Sequence, residues 1–370
     1  MNANDSAVAR LHRIGFAELP GWTEDDHRAA LASLRRAAAV FAKAPPKTRR
    51  LNISGGAVAA AAAAALALPE SIDRAAARAF VETTFAPFDV VPIDGRGFFT
   101  GYYEPEVEGS LVRTARFAAP LYRRPLDLVE VDDANRPEGW DKEIRFARQT
   151  GAGIVAFPDR REIEAGALAG QGLELAFLAD PIDAFFVHIQ GSARVSLPNG
   201  RVLRITFDGK SGHPYTPIGR VLIERGEIAR EAVTMDTIRA WLASHPAEAA
   251  DIMAHNRSFI FFREAPVTDP ELGPIAAAGV ALTPGRSLAV DRTLHTFGCP
   301  IWIDTVAPNG PLRRLMIADD TGSAIVGPAR GDVFFGSGSA AAALAGAMKS
   351  PGRFVLLAPR ALALPDEFAL

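Results

Sequence analysis

The sequence predicts a mainly β protein with helices near its N-terminus. Two patterns carry this prediction. From about residue 257 onward, short apolar runs recur at intervals of roughly 8–12 residues with turn residues between them, which is typical of a barrel or a sandwich. Between residues 23 and 85, apolar residues instead recur every three or four positions, which is typical of amphipathic helices.

Three helices are predicted between residues 23 and 85. The first begins at Thr23, with Asp26 at the capping-box position, and the segments 57–68 and 69–85 supply the other two. The face of the first helix that we expect to be buried comprises Leu31, Leu34, Ala38 and Phe41. The alanine-rich run at 57–68 has 12 residues, whereas a bilayer core needs ~20. No transmembrane helix is therefore predicted.

The middle of the chain changes to strands. The β-type runs in this part lie at 98–105, 184–197 and 202–209. Asn199-Gly200 stands between two alternating runs and predicts a tight hairpin. Helices return at 216–256, where Thr216-Pro217 forms a good N-cap and first-turn pair.

The last region, 257–370, is again mostly strand. The segments predicted as strands are 259–264, 286–291, 300–304, 313–319, 323–327, 332–336 and 353–359. One helix, Ser339–Lys349, interrupts them, and we expect Pro351-Gly352 to stop it.

Composition narrows the function. The chain has 370 residues and a net charge of −3, so it lacks the basic excess that nucleic-acid binding usually requires. Its single cysteine, Cys299, excludes an internal disulfide and a cysteine-based zinc site. No HExxH-like spacing indicates a metal, and neither a metal nor a cofactor is predicted. The N-terminal segment contains neither an apolar signal segment nor a cysteine for lipidation.

Three acids in the last region share one context, the polar end of an apolar run. They are Asp291, Asp320 and Asp332. Asp and Gly are common turn residues, so each acid alone fits a turn. Three such strand ends in one small barrel could meet, and a carboxyl kept protonated near neutral pH is what a general acid requires. We assign the neighbouring Asp319 to the turn, pointing away from Asp320.

Two further motifs are ambiguous. Asp320-Thr321-Gly322-Ser323 matches the D-T-G-S motif of aspartic proteases. That chemistry needs two aspartates, and the chain has no second copy, so only a homodimer would serve. Upstream, the tyrosines of TGYY (100–103) suit packing against sugar rings, but they fit equally well in a core.

The segment HIQGSARV (188–195) contains a histidine that alternates with apolar residues. A packed role for His188 is favoured over a ligand role.

In these motifs, the sequence resembles the MltA family of peptidoglycan lytic transglycosylases over roughly residues 97–358. The motifs that carry the resemblance are TGYYEP (100–105), DAFFVHIQGSARVSLPNG (183–200), FDGKSGHPYTPIG (207–219), NRSFIFFRE (256–264) and the acid-bearing strands. The last region, about 270–345, resembles the three-aspartate (3D) domain, with Asp291, Asp320 and Asp332 as its acids.

The resemblance implies a double-psi β-barrel built from residues 1–105 and 244–370. Residues 106–243 would form an inserted, smaller β-rich domain and the other wall of a substrate groove. The expected partner is a peptidoglycan glycan strand, bound by a monomer in the periplasm or at the outer membrane. It implies no nucleic acid, and the sequence indicates no particular protein partner.

The resemblance also implies that Asp320 alone catalyses cleavage between N-acetylmuramic acid and N-acetylglucosamine. Asp320 would protonate the bridging oxygen and then take a proton from the C6 hydroxyl, which closes a 1,6-anhydro ring. We expect burial and a neighbouring acid to keep Asp320 protonated. The supporting candidates are Asp332, Asp291 and Thr100. The substrate-binding candidates are Tyr102, Tyr103, Gln190, Gly191, Ser192, Arg194 and Gly322.

Two alternatives stay open. A glycan hydrolase would use Asp320 as the acid and a second aspartate to activate water. A glycan-binding module would have no turnover at all.

Overall fold

The computed structural model describes residues 8–93, 95–142, 144–266 and 269–369. The chain forms two compact units. The first contains the residues up to Tyr103 and those from Asp269 onward, and the second runs from Glu104 to Thr268. The functional division predicted from the sequence, at residues 105 and 244, stays a prediction.

The strands of the described residues follow one another along both units. In chain order they are β1 (Ala9–Arg13), β2 (Phe85–Pro92), β3 (Gly97–Glu104), β4 (Glu106–Ser110), β5 (Ala119–Tyr122), β6 (Leu128–Glu130), β7 (Phe146–Thr150), β8 (Gly153–Val155), β9 (Glu174–Leu178), β10 (Ser192–Ser196), β11 (Val202–Lys210), β12 (Ile260–Ala265), β13 (Ser287–Val290), β14 (Pro300–Ala307), β15 (Gly310–Asp320), β16 (Arg330–Ser337), β17 (Lys349–Pro359) and β18 (Glu367–Ala369).

Most helices lie near the N-terminus or in the second unit. The helices are α1 (His27–Phe41), α2 (Gly55–Leu66), α3 (Arg74–Thr84), α4 (Arg160–Glu162), α5 (Pro181–Gln190), α6 (Ile218–Glu224), α7 (Met235–Ser244), α8 (Pro246–Ala254) and α9 (Gly338–Ala347). α9 lies between β16 and β17 of the first unit. Among the described residues, no helix combines the length and the apolar character that crossing a membrane requires.

A closed six-stranded barrel is the centre of the first unit. Its strands pair in the order β14, β15, β13, β16, β3 and β17, and β17 pairs again with β14. β13 and β15 run parallel, whereas β14 pairs with β15 and β17 in the antiparallel sense. This is the double-psi β-barrel that the sequence led us to expect. β2, β1 and β18 extend the sheet outward from β17.

The N-terminal helices cover part of this barrel. Leu31, Leu34, Ala38 and Phe41 are all buried, as predicted. They belong to the same apolar core as the strand residues Trp302 and Phe354. β15 is buried at every position from Leu315 to Asp319 because the barrel interior covers one face and α1 packs on the other. This part of β15 has no exposed residue.

The start of the first helix was predicted wrongly. α1 begins at His27 rather than near Thr23, because Asp26 is the N-cap and its carboxylate accepts the Arg28 N–H at 3.3 Å. An acid one position before a helix satisfies an amide that the helix itself leaves free.

Two predictions about the last region were also wrong. Residues 323–327 form a turn rather than a strand, and the Ile325 N–H donates to the Gly322 carbonyl at 3.0 Å. α9 ends at Ala347, and Pro351-Gly352 lies inside β17 instead of stopping the helix. A Cβ on Gly352 would lie 2.6 Å from the Thr305 Cβ, so the close approach of β17 to β14 needs a glycine there.

The second unit contains a six-stranded sheet and a three-stranded sheet. The larger sheet has the order β12, β11, β10, β4, β9 and β5, and the smaller one has β6, β7 and β8. The predicted hairpin at Asn199-Gly200 is confirmed, since Ser196 pairs with Val202 across it. α6 begins at Ile218, one position later than expected.

Residues 184–190 were predicted as strand but form most of α5. The Asp180 carboxylate accepts the Ile182 N–H, Pro181 occupies the first helical position, and Gly191 ends the helix with φ 77°. These are strong helix start and stop signals. The apolar run between them resembles a buried strand only because α5 is buried on most sides.

Removing the α5 N-cap should destabilise the second unit. We expect Asp180→Ala to lower the free energy of unfolding by about 1 kcal/mol, because the Ile182 N–H loses its acceptor at 2.8 Å. The control is Asp180→Asn, which keeps an acceptor oxygen and should stay close to wild type. Urea unfolding compares them, and equal midpoints for the two variants would contradict the assigned cap.

Candidate active site

The candidate active site lies in the first unit, where β3, β15 and β16 of the barrel bring acids and hydroxyls together. Asp320 is the last residue of β15, Asp332 is on β16, and Thr100 and Tyr102 are on β3. Hydrogen bonds connect Tyr102 with Asp320 and Thr100 with Asp332. Two of the three predicted acids therefore join one constellation with two predicted β3 residues.

The carboxyl group of Asp320 is held from both sides. The Tyr102 hydroxyl donates to Oδ2 at 3.0 Å, and the Ala277 N–H donates to Oδ1 at 3.1 Å. Burial raises the pKa of Asp320, and hydrogen bonds from the Thr321 N–H, the Ala277 N–H and Tyr102 oppose this rise. The site thus favours a protonated acid through desolvation and stabilises the carboxylate through its donors.

Asp332 belongs to a short chain of polar contacts. The Thr100 hydroxyl donates to Asp332 Oδ1 and accepts from Arg330 Nη2 at 2.6 Å. Burial raises the pKa of Asp332 to about 6, while Thr100 and Arg330 lower it and the charge of Asp320 raises it. Burial is thus the main cause of the raised pKa of Asp320. We had expected a neighbouring acid to contribute to it as well, but the charge of a neighbouring acid instead raises the pKa of Asp332.

Asp291 has a different environment. Its Oδ1 accepts the Thr293 N–H and hydroxyl at 2.9 and 2.6 Å, and its Oδ2 accepts the Gly327 N–H at 2.8 Å. His295 Nε2 contacts the Pro328 carbonyl oxygen at 2.8 Å. Asp291 thus fastens the segment that connects Asp320 with Asp332 through Oδ2, while Oδ1 holds the turn that follows Asp291 itself.

The remaining first-unit candidates are Tyr103 and Gly322. Tyr103 is buried, with 8% of its surface exposed. Gly322 is exposed in the turn after Asp320.

The other candidates lie in the second unit, where α5 meets β10. Gln190 ends α5, Gly191 is its C-cap, and Ser192 begins β10 with its side chain buried. Arg194 donates through Nε to Oε2 of the buried Glu104 at 2.8 Å. Their roles in binding substrate stay predictions. His188 is a packed histidine as expected, buried with Nδ1 accepting the Ile260 N–H at 3.0 Å.

Two polar residues near the site were not identified from the sequence. Arg330 was not singled out, although it precedes Asp332 by two positions. Asp319 was assigned to the turn, and this was wrong: it is fully buried within β15. A signal for Asp319 was present, because it directly continues the apolar run Leu315–Ala318. Within the described residues, no group of three His, Cys, Asp or Glu side chains could hold a metal ion.

The buried Asp319 should make stability depend on pH. Burial raises its pKa from 3.8 to about 7, so the folded protein binds a proton that the unfolded chain has already released between these values. Stability therefore falls as pH rises from about 4 to about 7. We expect Asp319→Asn to gain stability relative to wild type over this interval, on the order of 2–4 kcal/mol.

Thermal unfolding of wild type and Asp319→Asn at about pH 4 and about pH 7.5, close to the unfolded and folded pKa values of Asp319, measures this difference. Asp133→Asn is the control, because Asp133 is exposed. A constant difference between Asp319→Asn and wild type at both pH values would contradict the assignment.

The comparisons with known proteins match both units. The MltA specific insert domain matches residues 98–263, and the 3D domain matches residues 286–358. Membrane-bound lytic murein transglycosylase A of Escherichia coli K12 is 32% identical over 269 residues, which is 70% of this chain and 65% of that protein. The Vibrio cholerae protein of the same name is 32% identical over 268 residues, 70% of this chain and 64% of its own length. This chain thus spans just under two thirds of these relatives.

Solved structures cover nearly the whole chain. The membrane-bound lytic murein transglycosylase from Agrobacterium tumefaciens is 44% identical with a TM-score of 0.89, covering 95% of this chain and 98% of its own. MltA from Neisseria gonorrhoeae is 30% identical with a TM-score of 0.76, covering 96% of each chain. E. coli MltA with bound chitohexaose is 25% identical with a TM-score of 0.65, covering 97% of each. The chain described here belongs to the MltA family.

Proposed function

We propose that this chain is a peptidoglycan lytic transglycosylase in which Asp320 acts first as acid and then as base. The observation that carries the proposal is the environment of one carboxyl group. Burial raises the pKa of Asp320, and three donors stabilise its ionised form. A group that must hold a proton and then release it needs both effects.

In the first step, Asp320 donates its proton to the oxygen between N-acetylmuramic acid and N-acetylglucosamine as the bond from C1 to that oxygen breaks. In the second, the C6 hydroxyl oxygen bonds to C1 and its proton passes to Asp320. A 1,6-anhydro ring forms, no water is consumed, and the enzyme returns to its starting state. Because the nucleophile belongs to the same sugar, its attack can draw on an effective molarity equivalent to about 7–11 kcal/mol.

The neighbours of Asp320 take supporting roles in this mechanism. Tyr102 and the Ala277 N–H orient the carboxyl and stabilise its negative charge after the first step. Thr100 and Arg330 hold Asp332 in place beside Asp320, and Arg330 offsets its negative charge. The names of the relatives and the chitohexaose bound to E. coli MltA support a glycan as the substrate.

A hydrolase is the second candidate, because Asp332 lies in the same constellation as Asp320 and the charge of Asp320 raises its pKa. A second carboxyl could activate water for attack at C1. Its product would carry an ordinary reducing end, heavier by one water.

The relatives are named membrane-bound. We infer that this protein acts at the bacterial cell envelope, in the periplasm or at the outer membrane, where peptidoglycan is available.

Replacing Asp320 should lower turnover far more than replacing Asp332. We expect Asp320→Asn to lower kcat by about 10²–10⁴-fold, because an amide cannot protonate the leaving oxygen. Asp332→Asn is the matched control, and it should lose less activity while still releasing 1,6-anhydro ends.

Mass spectrometry of digested peptidoglycan measures both products and rates. If the wild-type enzyme released fragments with ordinary reducing ends, the proposed transglycosylase function would be wrong and the hydrolase would be favoured. Equal losses in the two variants would contradict the single-acid mechanism.

The Tyr102 hydroxyl should tune the pH range of the reaction. Its hydrogen bond lowers the pKa of Asp320, so Tyr102→Phe should raise that pKa. We expect the alkaline limb of kcat/KM to move to higher pH, because Asp320 stays protonated to higher pH. We also expect kcat to fall roughly 10-fold because the carboxylate loses a donor.

Tyr122→Phe in the second unit is the matched control and should leave the alkaline limb in place. A Tyr102→Phe limb that coincides with wild type, or moves to lower pH, would contradict the assigned contact.

A further inference from the structure

Asp319 occupies an irregular position in the barrel. In the parallel pair of β13 and β15, Leu288 is opposite Ala318 and Ala289 is opposite Asp320. The register shifts between these two pairs, so Asp319 is the extra residue of a β-bulge. Bulges bend a strand locally and re-aim the side chains beside them, and they are frequent next to active sites. The residue re-aimed here is Asp320.

The side chain of Asp319 holds this bulge from two directions. Its Oδ2 accepts the Ser33 hydroxyl of α1 at 2.7 Å and the Ser287 hydroxyl of β13 at 2.6 Å. Its main-chain oxygen accepts the Ala278 N–H at 2.9 Å. The preceding amide of the same turn, Ala277, donates to Asp320 Oδ1. The bulge and the Asp320 carboxyl are thus anchored to a common turn.

The arrangement is costly for a residue with only a packing role. Asp319 is fully buried, and its Oδ1 accepts no hydrogen bond from the residues that the structure describes. An unsatisfied buried acceptor costs roughly 1–3 kcal/mol, and an apolar residue would avoid that cost. Arg36 on α1, Asp320, and Tyr102 on β3 are the charged or titratable groups whose fields reach it. A costly polar group beside a catalytic one indicates a functional constraint.

We propose that Asp319 is a positioning residue of this active site: its carboxyl, fixed by Ser33 and Ser287, sets the β-bulge that aims Asp320 at Tyr102 and the Ala277 amide. The proposal rests on the function proposed above. It makes α1, outside the barrel, part of the machinery that orients the acid. Because Asp319 acts through Asp320, losing its contacts changes the chemical step and leaves the binding of the glycan unchanged.

The experiment measures kcat and KM for release of soluble fragments from peptidoglycan by Asp319→Ala, Asp319→Asn, Ser33→Ala and Ser287→Ala. We expect Asp319→Ala to lower kcat roughly 30–100-fold and each serine variant roughly 3–10-fold, with KM within about twofold of wild type. Asp319→Asn keeps an acceptor for both hydroxyls and should recover most of the activity that Asp319→Ala loses.

Thr305→Val is the matched control. Thr305 is buried in the same barrel and donates to the Pro351 carbonyl at 2.9 Å. It should lower the melting temperature as the serine variants do while leaving kcat within about twofold of wild type.

Three results would overturn the proposal: wild-type kcat in Ser33→Ala and Ser287→Ala, a kcat loss in Thr305→Val equal to theirs, or no recovery in Asp319→Asn. If Asp319→Ala does not fold, the two serine variants decide alone. The product's reducing end is scored separately, so a hydrolytic wild type would refute the transglycosylase and leave this test in force.

Discussion

The hydrogen bond between Tyr102 and Asp320 depends on closure of the barrel. In the ring of six strands, β3 and β15 are three positions apart in either direction, so they lie opposite each other. Their side chains meet at 3.0 Å. Two opposite strands can bring short polar groups this close only in a small barrel.

The electrostatics of the site follow from that closure. A carboxyl at the end of a tightly packed strand loses water, and desolvation leads the causes that raise the pKa of Asp320, Asp332 and Asp319. Asp320 differs from the other two in its donors, which include two backbone amides and a phenol. Burial alone would give a weak acid that never releases its proton, and donors alone would give a permanent carboxylate. Their balance suits one group to both steps.

The sequence predicted those elements that a local pattern of residues defines. The amphipathic pattern of α1 and the turn residues Asn199-Gly200 are local signals, so the sequence identified both elements. The barrel strands were identified as short apolar runs between turn residues rather than by alternation, because β13 and the Leu315–Asp319 part of β15 are buried at every position. α5 failed because residues 184–187 are buried on nearly all sides, which erases the difference between helix and strand periods. The signals that remained, Asp180-Pro181 and Gly191, are capping signals and deserved more weight than the apolar run.

The site was predicted to a similar extent. Acids at strand ends are visible in a sequence, and Asp320 and Asp332 do meet at the β3 residues singled out with them. Asp291 looks the same in the sequence but fastens a neighbouring segment, because only three-dimensional contacts decide which atoms a carboxylate accepts from. Alternation along a strand cannot account for Asp319, since a bulge breaks the period at that residue.

The position of Asp319 gives the N-terminal helices a part in the chemistry. The Leu315–Asp319 part of β15 is buried at every position, and Asp319 enters the layer between the strand and α1. Ser33 supplies a hydroxyl there, and Arg36, one turn further along α1, supplies a positive field that opposes the raised pKa of Asp319. A helix that only covered the barrel could present apolar residues at both positions. Since α1 presents a hydroxyl and a cation instead, we infer that it contributes to positioning the acid: Ser33 holds Asp319, and Asp319 directly precedes Asp320.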